Sequence, residues 1–404
     1  MAFKNSMPRV LRGVLFLSVM LAALATPSLA QSVDYERIDL RAKQLVQRDD
    51  MMGLAIGVVE NGEIRFTKGY GRTHIGGTPV NENTVFRWAS LSKGLAGTII
   101  GQLADKGELA LTDTVGSFET SLRLPGSGQN RATLIDVLSH RLGVVSNAYD
   151  GRLEDGRTPT SIRRALSGLK NVCALGACHT YQNVAFDVAS EIVADVTEVS
   201  YAATAKKLVF DPLGMTTASM TRKDLTASGN YAQPYRKRRR DPSIRRTDLN
   251  DSYYRVPAAG GVNSSIKDLA KYMQAQMGLF PDVLPEPVLA ELQTPRIGTI
   301  RELRGMKRRY PGRMTSSKYG LGWRIYDYAG HRVIGHRGAV RGYRALILFD
   351  PEKDTGVVAL WNSNASKPVG IQFEVMDMVY GLPRKDWLSL DPPPTPAGSA
   401  PTAQ

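Results

Sequence analysis

Cysteine is nearly absent from this 404-residue chain, and two residues, Cys173 and Cys178, are too few for a disulfide-rich scaffold or a tetrathiolate zinc site. Histidine is also sparse. Four of the five, His74, His140, His179 and His331, form no metal-ligand spacing and are read as structural or surface residues. No internal repeat is visible, and beyond the first thirty residues no stretch reaches the roughly 18 uncharged apolar residues that a spanning helix needs. Acidic residues are the minority charge: Asp+Glu 38 against Lys+Arg 52 gives a net +14. What is present is ordinary globular chemistry. With 42% hydrophobic and 22% charged residues the chain is too apolar for disorder and long enough for one large or two modest domains.

The first thirty residues read as a leader to be set aside before the fold is considered. Lys4, Arg9 and Arg12 form a basic start, Val14 to Ala25 is a short apolar run, and Ser28 and Ala30 place small residues before Gln31. This pattern predicts cleavage before Gln31 and an exported protein, periplasmic or secreted. No cysteine follows the cleavage site to carry a lipid anchor. Nucleic acid is not an expected partner of an exported chain, despite its basic balance.

Strand signals cluster at the two ends of the remaining chain. Leu54 to Glu60 and Glu63 to Tyr70 are β-rich runs joined by Asn61-Gly62, a strong hairpin signal. Gly322 to Tyr328, His331 to Gly335, Tyr343 to Phe349 and Gly356 to Trp361 supply further strands late in the chain. Together they predict an α/β (α+β) fold with one antiparallel sheet built from both ends, residues 31–85 plus about 315–385. An amphipathic helix carrying Ile38, Ala42, Leu45 and Val46, and another from about Pro368 to Tyr380, would cover its faces. Residues 86–314 read as a large, mainly helical insertion. Residues 389–404 read as a disordered Pro/Ala tail that cannot bury a core.

Ser90 and Lys93 form a Ser-x-x-Lys pair where a helical pattern begins. Residues three apart share a helix face, so the amine reaches the hydroxyl. A desolvated lysine near a helix N-terminus can serve as the base that activates the serine, and the same helix end offers N–H groups to an oxyanion. Ser167-Gly-Leu-Lys170 and Ser264-Ser-Ile-Lys267 match the pattern too. Ser167 lies in an Arg-rich helical stretch, and Ser264 and Ser265 read as helix caps ahead of Asp268.

Order along the chain selects Ser90. Downstream lie Tyr181-Gln182-Asn183, the sole Tyr-x-Asn in the sequence, and then His336-Arg337-Gly338, a His-x-Gly that follows both earlier motifs. With these residues the chain resembles the serine β-lactamase and penicillin-binding DD-peptidase superfamily, in its class C-like branch. Phe210 to Met215, Pro257 to Ser264, Tyr319 to Trp323 and Gly335 to Tyr343 extend the resemblance over nearly the whole mature chain. The resemblance implies a β-lactamase/transpeptidase-like fold and an acyl-enzyme reaction with neither cofactor nor metal. Ser90 would attack a carbonyl, Lys93 would take its proton, and Tyr181 would shuttle a proton to the leaving group. Asn183 would hold the substrate's amide side chain, and the N–H groups of Ser90 and Ala339 would form the oxyanion hole. Gly338 would leave room for a substrate lying along the strand.

Class C β-lactamases carry Lys-Thr-Gly as the third motif, whereas this chain has no Lys-Ser/Thr-Gly anywhere. His336-Arg337-Gly338 resembles instead the D-alanyl-D-alanine carboxypeptidases, D-amino-acid peptidases and esterases of the superfamily. Histidine there would make carboxylate recognition pH-dependent or shared with Arg337 and Arg341. The expected partner is a small molecule or peptide with a reactive acyl group. A D-amino peptide hydrolase leads, with an esterase, a class C β-lactamase and a non-catalytic penicillin-binding sensor as alternatives. In an exported protein Cys173 and Cys178 are expected to form a disulfide bracing the Tyr181 loop. The basic run Arg236 to Arg240, with Arg245 and Arg246, reads as a solvated loop or a cationic wall of the cleft.

Overall fold

Asn61 and Gly62 both adopt positive φ, 51° and 81°, which gives the primed turn whose twist matches two flanking strands. They join β1 (Gly53–Glu60) to β2 (Glu63–Gly71). The structure is a computed structural model that describes residues 33–241 and 243–392. The expected leader and residues 393–404 of the expected tail lie outside the described residues.

The remaining strands of the main sheet are β3 (Ile297–Gly298), β4 (Met314–Tyr319), β5 (Arg324–Tyr328), β6 (His331–Val340), β7 (Tyr343–Asp350) and β8 (Thr355–Trp361). Their order is β2-β1-β8-β7-β6-β5-β4-β3, antiparallel throughout. The first and last strands are therefore neighbours, with Gly57 opposite Val358. Both faces of the central strands are buried, so apolar residues occupy both phases of the alternation. Leu54, Ile56, Leu346, Leu348 and Val357 face one cluster, while Ala55, Ala345, Ile347, Phe349 and Val358 face the other.

The terminal helices α1 (Tyr35–Val46) and α4 (Ile371–Val379) were expected to cover the sheet's faces; instead both pack on the same one. Arg41, 2% exposed, fastens them with a bidentate pair to Glu374 at 3.0 and 2.7 Å. The opposite face is covered by α2 (Ser92–Asp105), α3 (Ile266–Gln276) and the rest of the insertion. That insertion is helical in short pieces, interrupted by loops and by two-stranded ribbons such as Phe86–Arg87 with Asn263–Ser264.

Other differences from the sequence reading have local causes. The strand expected at Gly322 begins at Arg324, because buried Leu321 and Trp323 pack with α2 in one core cluster. The strand expected to stop at Gly335 runs on to Val340, since Gly338 and Ala339 keep pairing with Ala345 and Arg344 of β7. The last two strands at one end of the sheet, β4 and β3, went unrecognised: β4 is a polar run, and β3 spans two residues. Order persists past the expected boundary at residue 388. Asp391 accepts from Arg41 Nη1 at 2.8 Å and from Arg384.

Candidate active site

Ser90 lies where the chain turns sharply from a short strand into a helix. Trp88 is fully buried, its backbone N–H donates to Val262 O at 2.9 Å and its indole donates to Ser264 Oγ at 2.7 Å. Ala89 then takes φ +50°, a left-handed conformation that costs an alanine about 1 kcal/mol and survives only in an over-determined setting. Ser92 supplies part of that setting: its Oγ donates to Ala89 O at 2.7 Å and accepts from Val262 N at 3.1 Å.

One turn on, Lys93 is fully buried on α2 with Nζ 3.5 Å from Ser90 Oγ. Nζ also donates to Asn183 Oδ1 at 2.7 Å and to Ala259 O at 3.0 Å. Asp187, behind the site, orients the second acceptor. Its Oδ1 accepts from Ala258 N at 2.8 Å and its Oδ2 pairs with Arg163 at 2.9 Å, which fixes the short helix Pro257–Gly260.

The Tyr181–Asn183 loop forms the second wall. Tyr181 O accepts from Asn147 N at 2.7 Å, and the phenol ring centre lies 4.8 Å from Lys93 Nζ. Both ends of the Asn183 amide are engaged, Oδ1 by Lys93 and Nδ2 by Asp150 at 2.6 Å. Its first task is therefore to hold Lys93, although it still lines the cleft. The expected Cys173–Cys178 disulfide is present just ahead of this loop. His140, read from sequence as structural or surface, is fully buried against Tyr181 with ring centres 4.3 Å apart. Nothing in a single sequence links it to a tyrosine 41 positions away.

Strand β6 closes the third side, and two expectations change here. Gly338 does border the cleft, but its lack of a side chain serves the protein first: a Cβ would sit 2.1 Å from Trp88 O and 3.2 Å from Ser90 N. The glycine lets β6 press directly against the Ser90 turn. His336, expected to bind substrate, is not among the residues that line the cleft. It is 2% exposed, its Nδ1 lies 3.0 Å from Arg337 O and its Nε2 lies 2.9 Å from Tyr319 Oη. A carbonyl only accepts, so Nδ1 carries the proton and Tyr319 donates to Nε2. Burial, then the positive charge of the Arg324 guanidinium, holds this histidine neutral by pushing its pKa well below the ordinary value.

Ser90, Tyr181, Asn183, Gly338 and Ala339 line one cleft of about 520 Å³. Its cations are Arg309, Arg324, Arg337 and Arg344, none of them from the basic run. Glu302 pairs with Arg324 and, at 3.0 Å, with Arg337. Arg309 and Arg344 instead donate to the backbone oxygens of Ser366 and Asn364. Burial and the neighbouring Arg337 and Arg309 push the Arg344 guanidinium below its usual value. Arg236, Arg238, Arg239 and Arg240 are exposed, so the reading of that run as a cleft wall is replaced by that of a solvated hairpin. A larger groove of about 1100 Å³ over Met220 to Arg255 contains Arg246 but no serine–lysine pair.

The competing serines have other work. Ser167 is exposed and bonds Arg164 O, while Ser265 caps α3. Ser264 is not a cap: it sits in a strand and takes the Trp88 indole bond.

Comparison with known proteins agrees with this architecture. The chain is 27% identical over 382 residues to the unguisins hydrolase ungD of Aspergillus violaceofuscus, covering 87% of this chain and 65% of that protein. It thus spans less than two thirds of the length of the curated relatives it matches first. Among solved structures, the octameric penicillin-binding protein homologue from Pyrococcus abyssi superposes with a TM-score of 0.76 at 24% identity, covering 86% of this chain and 78% of that one. A D-stereospecific amidohydrolase from Streptomyces superposes at 0.65 with 21% identity, over 82% and 97% of the two chains. Both structural likenesses concern the fold, which is β-lactamase/transpeptidase-like. The β-lactamase family model matches residues 38–376, from the first helix under the sheet to the last, and the chain belongs to that family.

Proposed function

We propose that the protein is an exported serine acyl hydrolase that cleaves D-amino peptides or related amides through an acyl-enzyme on Ser90. The observation that carries this reading is the setting of Lys93. Its two firm acceptors, Asn183 Oδ1 and Ala259 O, pin Nζ 3.5 Å from Ser90 Oγ, within reach of the hydroxyl it would deprotonate. In this reading Lys93 takes the Ser90 proton as Oγ attacks the carbonyl. The Ser90 and Ala339 N–H groups receive the oxyanion, and loss of one such donor costs about 10²–10³ in turnover. Tyr181, beside Lys93, passes a proton to the leaving group and helps activate the deacylating water.

The arginines of the cleft favour a substrate with an anionic group beyond the scissile bond. Arg309, Arg337 and Arg344 crowd one another, and a carboxylate would relieve that repulsion. The absence of a Lys-Ser/Thr-Gly motif and the neutral, buried His336 favour a peptidase-like hydrolase over a potent β-lactamase. The leader-like start and the disulfide support export to an oxidising compartment.

The test is covalent labelling followed by turnover. Fluorophosphonate should label the protein, Ser90→Ala should abolish labelling, and Ser167→Ala and Ser264→Ala should retain it. Labelling of the Ser90 variant would sink the assignment. Turnover of a D-alanyl-D-alanine peptide, a p-nitrophenyl ester and nitrocefin then separates peptidase, esterase and β-lactamase, and acylation without turnover of any identifies a sensor.

A further inference from the structure

His140 makes more contact with the Tyr181 loop than a space-filling residue needs. Its carbonyl accepts from Thr180 N at 2.8 Å and its ring Nδ1 accepts from Gln182 N at 3.2 Å. The residues on either side of Tyr181 are thus hung from one histidine, and the ring of that histidine lies against the phenol between them. Since Nδ1 accepts, the ring proton is on Nε2, and that nitrogen is buried with no hydrogen-bond partner among the described residues. Leaving it so is a cost that a leucine of similar bulk would avoid. The backbone adds a second: His140 has φ +60°, a region where histidine and asparagine are tolerated better than most residues.

We infer that His140 is the positioning residue for Tyr181, clamping both neighbouring peptides and backing the ring so that the phenol keeps its place beside Lys93. This rests on the acyl-enzyme reading of Ser90, Lys93 and Tyr181 given above. His140 meets neither substrate nor the reacting atoms. Its ring is enclosed by Phe186, His179 and Tyr319, with centres 5.1, 5.5 and 4.9 Å away, so the clamp itself is rigid.

Two variants separate the acceptor from the backbone. His140→Gly keeps the left-handed φ without strain but removes acceptor and ring, while His140→Asn keeps φ tolerance and restores an oxygen near the place of Nδ1. With a p-nitrophenyl ester, His140→Gly should lower kcat about tenfold or more and leave KM within about threefold, and His140→Asn should recover most of the loss. In a Tyr181→Phe background the His140→Gly effect should collapse to under about threefold. Equal kcat in His140→Gly and wild type, or an undiminished loss when Tyr181 is already Phe, would overturn the inference. If His140→Gly does not fold, ¹⁵N NMR of histidine-labelled wild-type protein decides. An Nε2–H tautomer at His140 supports the clamp, and an Nδ1–H tautomer refutes it. Failure of the clamp leaves Ser90→Ala still unlabelled, whereas failure of the acyl-enzyme reading shows as labelling of that variant.

Discussion

Three histidines around one site, two buried and one half-buried, should make the folded state sensitive to acid. His140, His179 and His336 all have depressed pKa values, chiefly through burial. His179 is held at about 4, with the Arg324 guanidinium as the second cause. An unfolded histidine titrates near 6.5, so below that pH the unfolded chain binds protons that the folded chain refuses. The stability from each depressed histidine is complete above about pH 6.5 and is lost as pH falls through the folded value. For His179 alone, a drop from about 6.5 to 4 is worth about 2.5 kcal/mol by pH 4.5, a large part of an ordinary folding free energy.

Two carboxylates oppose this trend. Asp187 is pushed up to about 7 by burial, which outweighs the Arg163 charge, and Asp150 is raised by burial as well. Both favour the folded state as pH falls, so the wild-type slope is a net of opposing groups. A difference measurement isolates one group: urea unfolding of wild type and His179→Gln at pH about 7.5, 6.0, 5.0 and 4.5. Relative to wild type, the variant should gain about 1.1 kcal/mol per pH unit between about 6 and 4.5. A difference constant to within about 0.5 kcal/mol across that range would refute the claim that His179 stays neutral in the fold.

Two further outcomes follow from packing and covalent structure. Gly338→Ala forces a Cβ to within 2.1 Å of Trp88 O, so it should slow fluorophosphonate labelling of Ser90 at least about tenfold and destabilise by about 1–3 kcal/mol, read by urea unfolding. Peptide mapping without reductant should find no alkylated Cys173 or Cys178, and reduction should cost only about 2 kcal/mol because the closed loop is short.

The hairpin at Asn61-Gly62 and the central strands were legible because local turn chemistry and apolar runs alone determine them. The far half of β6 was not, since Arg337 and Gly338 break the apolar run and their pairing partner lies on β7. The nucleophile was legible only by motif order; among three Ser-x-x-Lys matches, nothing local distinguishes Ser90. The tasks of individual side chains were less legible still. Asn183 is turned toward Lys93, His336 toward Tyr319, and His140 reaches Tyr181 only through the tertiary fold.

The exchange of lysine for histidine in the third motif reads differently once the neighbouring strand is known. From sequence, His336 would supply a cation that fades as pH rises through its titration. In the fold it supplies none, and positive charge reaches the cleft from Arg324, which is paired across β5 and β6 with Gly335, and from Arg337 on β6 itself. A guanidinium stays charged throughout the working range. Preference for a carboxylate-terminated D-alanyl peptide over its C-terminal amide should therefore be nearly constant between about pH 5.5 and 8.5, measured as the ratio of kcat/KM values. Arg344→Gln should lower that ratio about tenfold, the worth of one charge-assisted hydrogen bond near 1.4 kcal/mol, with little change for a neutral ester. A preference that falls tenfold as pH rises from about 6 to 7.5 would return the role to a histidine and show that the arginines of the cleft do not meet the substrate.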